Sequence, residues 1–169
     1  LHEAARPELT TPEWTVQKES EFSGDFAAHI VGHVCSGNSC CITGPPGVGK
    51  SWLLMRIRDA LVASGVRVEV VAASNSAARI VGGCTIHSFV TKMSSSRYGF
   101  EGCILIDEIS QLSLGLVAAL DNLRFLNCRI ISCGDWLQLP PPSNSFRGAP
   151  VDAAVFKGSK LLKIWSDCQ

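Results

Sequence analysis

The 169 residues contain no apolar run that approaches the ~18 residues of a membrane-spanning helix, so the sequence predicts no membrane segment. Charge of one sign is not in excess either: 15 lysines and arginines balance 15 aspartates and glutamates, and no polybasic run occurs. This balance argues against binding to nucleic acid or membranes through bulk charge. Internal repeats and low-complexity tracts are also missing. With 46% hydrophobic residues, the composition is that of one compact domain.

The balanced charge is unevenly distributed along the chain. Residues 1–25 hold six acids and two bases, a net charge of −4, so residues 26–169 carry +4. The first segment is polar and interrupted by Pro7 and Pro12, with Trp14 as its one candidate anchor. We therefore expect an acidic arm or linker over residues 1–25 and a mildly basic domain over residues 26–169.

The eight cysteines include no C-x-x-C pair, and the four histidines are not at metal-ligand spacing beside them. Cys40, Cys41, Cys103 and Cys133 lie in apolar runs, where a free cysteine behaves as a small buried hydrophobe. A disulfide or metal site is the less favoured alternative. Reduced cysteines and the lack of a visible signal peptide predict an intracellular, reducing compartment: nucleus, mitochondrion, bacterial cytoplasm or viral replication site. The chain begins without methionine, which suggests a fragment or a processed product.

Hydrophobic periodicity predicts strands that alternate with helices. The predicted helices cover residues 26–35, 50–64, 74–81 and 112–123, and the predicted strands cover residues 39–43, 66–72, 103–106 and 129–132. Ser74 is the expected cap of the third helix, and residues 94–102 are expected to form a loop. This alternation predicts an α/β fold with a parallel sheet covered by helices on both faces.

The strongest motif is G-x-x-x-x-G-K-S at residues 44–51, between a predicted strand and a predicted helix. Glycines allow the backbone N–H groups to face phosphate oxygens, and the helix N-terminus adds positive potential. Lys50 is expected to reach the β- and γ-phosphates, and the Ser51 hydroxyl to help hold Mg²⁺. A Gly-Pro turn with an unrelated lysine is the alternative. The predicted nucleotide-binding residues are Gly44, Pro45, Pro46, Gly47, Val48, Gly49, Lys50, Ser51 and Trp52.

Two carboxylates, Asp107 and Glu108, follow the apolar segment at residues 103–106. This places them at the carboxyl edge of a parallel sheet, where open α/β folds bind ligands. Asp107 is expected to hold Mg²⁺ through water, and Glu108 to orient or deprotonate the attacking water. Acids often end strands at a surface, so the pair alone is a weak signal. Together with the phosphate loop upstream, it predicts a nucleotide-hydrolysing site.

Three further segments, at residues 72–78, 82–89 and 130–141, extend the pattern. With the phosphate loop and the Asp-Glu pair, they resemble the motifs of superfamily-one helicases, most closely the PIF and RecD-like 5′→3′ DNA helicases. The resemblance covers residues ~39–142 well and continues more weakly to ~165, around Phe156 and Trp165. It implies a RecA-like P-loop domain, the first motor half of an ATP-dependent DNA helicase.

The resemblance assigns roles to residues outside the phosphate loop. Asp135 and Gln138 match the motif that senses the γ-phosphate, and Gln138, with Lys50 and Glu108, belongs to the implied catalytic set. The implied DNA-side residues are Ser74, Asn75, Thr85, His87, Phe89 and Trp136. Phe89 and Trp136 could equally be core aromatics, and His87 a structural histidine, because base stacking requires an exposure that sequence does not show.

The implied cofactors are ATP and Mg²⁺, and the implied partners are single-stranded DNA, with RNA as the alternative, and a second RecA-like domain of the full-length protein. The chain ends at Gln169, before the family's later motifs, so the fragment alone is expected to show weak or no hydrolytic activity. The protein is expected to be a monomer. Where the family usually has a glutamine that reads adenine, this sequence has Ala27. Two other interpretations remain: an RNA-virus-type superfamily-one helicase, which the segment at residues 83–89 disfavours, and a nucleotide-dependent scaffold without unwinding activity.

Overall fold

The structure is a computed structural model that describes residues 24–95, 99–113, 115–116, 119–120, 128–135, 145–146 and 149–150. The predicted acidic arm lies outside the described residues apart from Gly24 and Asp25. Within the described part of the chain, no helix is long and apolar enough to cross a membrane.

Among the elements whose bounds the structure describes, four helices alternate with five parallel strands. The helices are α1 (Phe26–Cys35), α2 (Lys50–Ala63), α3 (Asn75–Ile80) and α4 (Ile86–Ser94). The strands of the main sheet are β1 (Cys40–Thr43), β2 (Val68–Ala72), β3 (Cys84–Thr85), β4 (Gly102–Asp107) and β5 (Cys128–Gly134). A 3-10 turn, Ile109–Gln111, follows β4, and a short antiparallel pair joins β6 (Ser145–Phe146) to β7 (Ala149–Pro150).

The main sheet has the strand order β1-β5-β4-β2-β3, and every neighbouring pair is parallel. The predicted α/β class with a parallel sheet is therefore confirmed. Because all five strands run in one direction, their carboxyl ends lie at one edge of the sheet. The chain leaves this edge after Thr43, Ala72, Thr85, Asp107 and Gly134, the positions from which the predicted site residues follow.

Two apolar layers cover the sheet, one on each face. The first packs α1, α2 and α3 on one face, with Leu54, Ile57 and Leu61 of α2 fully buried. These residues lie at helical spacing, so one stripe of α2 contacts the sheet. The second layer contains α4 and the 3-10 turn, through Ile86, Phe89 and Ile109. The central strand, β4, is buried on both faces, as parallel strands in such folds are.

Side-chain caps fix where three helices begin. Asp25 accepts from the Ala28 N–H at 3.0 Å, and Ser74 from the Ala77 N–H at 3.2 Å. Ser74 is the cap that the sequence predicts, and this prediction is confirmed. Thr85 caps α4 by accepting from the Ser88 N–H at 3.2 Å. Each cap satisfies one of the N–H groups that a helix start leaves without a partner, which typically stabilises the helix by ~1 kcal/mol.

The sequence pattern did not predict α4 as a helix. Its residues were interpreted only as part of a motif, yet they form nine helical residues directly after β3. Gly83 explains the abrupt turn into β3: a Cβ at this position would lie 2.2 Å from the Val70 carbonyl oxygen, so only glycine allows the chain to approach β2 this closely. In the predicted helix at 112–123, Leu112 and Ser113 are described and not helical, so the predicted start was too early, whereas Gly115, Leu116, Ala119 and Leu120 are helical.

The predicted role of Phe89 as a DNA-side residue is not supported by its burial. Its side chain is 1% exposed in the layer beneath α4, and its ring packs edge-to-face against Phe100 with centroids 5.8 Å apart. A ring buried in this way is not available to stack on a nucleic-acid base, so the prediction of a base contact is wrong and Phe89 belongs to the core.

We predict that Phe89→Ala destabilises the domain by about 3–5 kcal/mol, the usual effect of truncating a buried phenylalanine. Chemical denaturation measures this loss. Phe89→Leu, which keeps most of the buried apolar volume, should retain most of the stability and the full affinity for single-stranded DNA. A large loss of DNA affinity in a stably folded Phe89→Leu protein would restore the base-contact interpretation.

The seven described cysteines are all free thiols, and no group of three or more potential metal-binding side chains occurs in the described part of the chain. Cys168 lies outside the described residues. Burial raises the pKa of Cys40 to about 11 and that of Cys103 to about 12. Thiols with such pKa values stay protonated and unreactive near neutral pH.

Candidate nucleotide-binding site

The phosphate loop leaves β1 after Thr43 and enters α2 at Lys50. Gly47 and Gly49 have φ angles of +81° and +90°, in the left-handed region that favours glycine. Gly49 occupies the cap position of α2 and offers no side chain to the helix, and the first turn of α2 contains no acid. The N–H groups at this helix start are therefore left for an anionic ligand, which the helix dipole also favours.

The Lys50 side chain folds back over the loop that precedes it. Its Nζ donates to the carbonyl oxygens of Gly44 and Pro45, both at 2.8 Å, and the residue is only 9% exposed. An ammonium group has three donors, so one is left for a ligand in the loop. Two neutral carbonyls hold the cation without neutralising it, which suits a site for phosphate.

Ser51 and Asp107 meet across the carboxyl edge of the sheet. The Ser51 Oγ lies 3.2 Å from each carboxylate oxygen of Asp107, although 56 residues separate the two in sequence. Asp107 ends β4 and is buried, and the Glu108 N–H donates to its Oδ1 at 3.1 Å. The structure thus joins the two residues that the sequence assigned to Mg²⁺.

Glu108 is the single non-glycine residue with positive φ in the described part of the chain, at φ 56° and ψ 47°. Such a conformation is strained for a residue with a side chain, and strained residues cluster at functional sites. Its Oε2 is buried without a hydrogen-bond partner. Burial raises the pKa of Glu108, the charges of Asp107 and Asp135 raise it further, and Lys50 lowers it. A raised carboxyl pKa beside a phosphate loop is characteristic of a general base.

The end of β5 approaches the turn that follows Glu108. The Asp135 N–H donates to the Ser110 Oγ at 3.3 Å, and both residues are buried. A Cβ at Gly134 would lie 3.1 Å from the Ser110 nitrogen, so glycine permits this close approach. Trp136 and Gln138, the other residues predicted beyond β5, lie outside the described residues.

Four of the predicted DNA-side residues lie at the carboxyl ends of β2 and β3, at the same edge of the sheet. Asn75 and His87 are exposed, whereas Ser74 and Thr85 are half-buried and cap their helices. The hydroxyl groups are also paired locally, Ser74 with Ser76 and Thr85 with Ser88, each pair at 3.0 Å. Hydroxyls at two helix starts offer donors to phosphates of an extended strand.

Trp52 follows Ser51 in the first turn of α2 and is 59% exposed. The Arg56 guanidinium lies over its ring, 5.0 Å from the centroid. This pair is therefore a solvent-facing cation–π contact beside the loop. In the described structure the ring contacts Arg56, and its predicted role at the nucleotide remains a prediction.

Two residues at the site were not assigned to it from the sequence. Ser110 bonds to Asp135, and Cys133 places its Sγ 2.9 Å from Asp107 Oδ1. Burial raises the pKa of the Cys133 thiol, and Asp107 raises it further. The sequence pattern predicted Cys133 only as a small buried residue of the core. Its position directly before Gly134 and Asp135 was the one local signal of another role.

Comparison with known proteins shows which family and which solved structures the chain resembles. A family model described as an AAA domain matches residues 27–158. The human ATP-dependent DNA helicase PIF1 is 28% identical over 202 aligned positions, which cover 95% of this chain and 31% of the human protein. The crystal structure of Pif1 helicase from Candida albicans superposes with a TM-score of 0.61 at 29% identity, covering 71% of this chain and 34% of that one.

A structure of Pif1 helicase from Bacteroides in complex with ADP-AlF3 and single-stranded DNA has the same fold, with a TM-score of 0.57 at 22% identity, covering 86% of this chain and 36% of that one. The chain therefore spans about a third of the length of these relatives. The match over most of its residues shows that the chain belongs to the AAA domain family, as a motor domain of the PIF1-like superfamily-one helicases.

Proposed function

We propose that this chain is the ATP-binding and ATP-hydrolysing motor domain of a 5′→3′ DNA helicase, which couples hydrolysis to translocation on single-stranded DNA and to duplex unwinding. One observation carries the proposal: the Lys50 ammonium group, the Ser51–Asp107 pair and the Glu108 carboxylate converge at one edge of a parallel sheet. A cation, two oxygen ligands and a candidate base are the parts that phosphoryl transfer from ATP to water requires.

The loop and Lys50 would bind the phosphates of ATP. The N–H groups at the start of α2 face the ligand without competing side-chain acceptors, and Lys50 adds its remaining donor. The Ser51 hydroxyl and the Asp107 carboxylate are hard oxygen donors of the kind that Mg²⁺ prefers, and they lie 3.2 Å apart. We therefore assign Mg²⁺ to these two residues, with Asp107 acting through water. The ion would neutralise charge that develops on the phosphates.

Glu108 would orient the attacking water and accept its proton. Its Oε2 is buried and lacks a partner in the described structure, so the oxygen is left for a water molecule. Asp135 lies at the end of the neighbouring strand and is bonded through its N–H to Ser110. We propose that Asp135 and Gln138 sense whether the γ-phosphate is present.

Single-stranded DNA would pass along the residues that follow β2 and β3. Ser74, Asn75, Thr85 and His87 offer hydroxyl, amide and imidazole groups to phosphates or bases, so binding does not require a polybasic run. We propose that unwinding also needs a second RecA-like domain, because the chain spans about a third of its relatives, which are named ATP-dependent DNA helicases. We also propose that the protein works in a reducing intracellular compartment, as its cysteines predict.

Steady-state ATP hydrolysis by the intact protein, with increasing single-stranded DNA, tests the proposal. A translocating motor should hydrolyse ATP faster as DNA is added, because DNA binding and phosphate sensing are coupled. Single-stranded RNA of the same sequence distinguishes a DNA motor from an RNA-virus-type helicase. Nucleotide binding with no stimulation by either polymer would favour the scaffold interpretation and contradict the motor.

A further inference from the structure

The thiol of Cys133 contacts the carboxylate assigned to Mg²⁺. Its Sγ lies 2.9 Å from Asp107 Oδ1, and the side chain is fully buried. The contact follows from the register of the sheet: β4 and β5 are parallel, with Ile106 opposite Ser132, so the next residue of each strand, Asp107 and Cys133, lies at the same level. The neighbouring strand therefore brings a donor to a residue 26 positions away.

The two oxygens of Asp107 have different surroundings. Oδ1 lies within hydrogen-bond distance of three donors, the Glu108 N–H at 3.1 Å, the Cys133 thiol at 2.9 Å and the Ser51 hydroxyl at 3.2 Å. In the described structure, the hydrogen-bond partner of Oδ2 is Ser51, also at 3.2 Å. The single Ser51 proton is shared between the two oxygens, so the donors that belong to Oδ1 alone are the Glu108 N–H and the Cys133 thiol. An oxygen that already accepts two such bonds has less capacity for another ligand than Oδ2, which keeps lone pairs for one.

We propose that Cys133 is a positioning residue, whose thiol holds the Asp107 carboxylate in the orientation that presents Oδ2 to the hydrated metal of the bound nucleotide. The inference rests on the proposed function, since it concerns the same metal. A carboxylate cannot donate, so the hydrogen between the two groups belongs to sulfur. Hydrogen bonds to ligating carboxylates orient them, and removal of such a partner typically lowers metal affinity about 10–100-fold.

Cys103 provides a matched control for packing. It is also a fully buried cysteine, it lies on the neighbouring strand β4, and it belongs to the same apolar layer as Cys133. No hydrogen bond joins Cys103 to Asp107 in the described structure. If the role of Cys133 were packing alone, equivalent substitutions at the two positions would have the same kind of effect.

The test is a Mg²⁺ titration of nucleotide binding by the intact protein, followed with a fluorescent ADP analogue. Valine at position 133 fills the space of the thiol without a donor, whereas serine keeps a donor. We expect Cys133→Val to raise the half-saturating Mg²⁺ concentration by roughly ten-fold, the lower end of the range because a thiol is a weak donor. Cys133→Ser and Cys103→Val should stay close to the wild-type value, and metal-free ADP affinity should not change in any variant.

An unchanged Mg²⁺ requirement in Cys133→Val, or equal shifts in the valine and serine variants, would overturn the proposal. If Cys133→Val does not fold, the infrared S–H stretching band decides: the difference spectrum of wild type minus Cys133→Ser should show a band at lower frequency than that of Cys103. A band at the same frequency would overturn the hydrogen bond. If wild-type protein bound nucleotide without any dependence on Mg²⁺, the proposed function itself would be wrong, whatever the variants show.

Discussion

Replacing Glu108 with glutamine is expected to lower kcat for ATP hydrolysis by roughly 10²–10⁴-fold, the range that general-base catalysis contributes. Glutamine keeps the size of the side chain but cannot accept the proton of the attacking water. Nucleotide affinity should remain close to that of the wild type, because the loop and Lys50 hold the phosphates without Glu108. Single-turnover hydrolysis and equilibrium binding of an ADP analogue measure the two quantities separately.

Glu101→Gln is the matched control, because Glu101 is an exposed carboxylate that precedes β4 at the opposite edge of the sheet. It should leave both quantities unchanged. Turnover in Glu108→Gln within a few-fold of the wild type would remove Glu108 from the catalytic role and leave its strained backbone without an explanation.

The same substitution, which lowers kcat, should raise the stability of the folded protein near neutral pH. Burial raises the pKa of Glu108, so in the protein without metal or nucleotide the charged form is disfavoured relative to the unfolded chain. A carboxyl group whose folded pKa is raised contributes stability below its ordinary pKa, and this contribution is lost as pH rises through the folded value. Glu108→Gln should therefore melt at a higher temperature than the wild type near neutral pH, and the difference should shrink as pH falls through the folded value and be gone below the ordinary glutamate pKa, ~4.3.

Thermal melts in a chelating buffer across that pH range measure this difference. A gap that stays constant with pH would show that the titration of Glu108 does not underlie it. A glutamine variant that is less stable at neutral pH would contradict the assigned environment of the carboxyl group.

Removing the Lys50 ammonium group is expected to lower ATP affinity by roughly 100-fold, which amounts to loss of binding at ordinary assay concentrations. Charge-assisted hydrogen bonds typically contribute ~1.5–3 kcal/mol each, and the remaining donor of Lys50 is the one cationic donor that the described loop offers a phosphate. Lys50→Ala removes the whole side chain, whereas Lys50→Met keeps the aliphatic stem that the residue buries. Both variants should bind weakly in equilibrium titrations.

Lys92→Met controls for the loss of a positive charge, because Lys92 is an exposed lysine on α4 that pairs with Glu69 at 3.5 Å. It should bind ATP like the wild type. Undiminished nucleotide affinity in folded Lys50→Met protein would refute the assignment of the loop.

Local sequence patterns predicted the parts of this fold that depend on interactions within a few residues of the chain. The helical stripe of α2, the buried strand before Asp107 and the serine cap of α3 are each encoded within a few residues. Parallel strands then fix that Lys50, Ser51 and Asp107 share one edge. Helix α4 was missed although its signals are local: Thr85 caps its start, and Ile86, Phe89, Val90 and Met93 lie at helical spacing.

The register of the sheet determines contacts that the sequence does not contain. The bond from Cys133 to Asp107 requires that β4 lie beside β5, and the bond from Asp135 to Ser110 requires that Gly134 approach the 3-10 turn. Phe89 illustrates the converse: its motif suggested a base contact, but Phe100 and the sheet bury it. Exposure and strand adjacency are properties of the folded chain, so both had to be read from the structure.

The most direct measurement of the central claim is a crystal structure of the intact protein with Mg²⁺ and ADP–aluminium fluoride. We predict that the phosphates occupy the loop at residues 44–51 within hydrogen-bond distance of Lys50. The metal should contact the Ser51 hydroxyl and, through water, Asp107, with the attacking water beside Glu108. A nucleotide bound elsewhere, or a metal whose coordination involves neither Ser51 nor Asp107, would contradict the account.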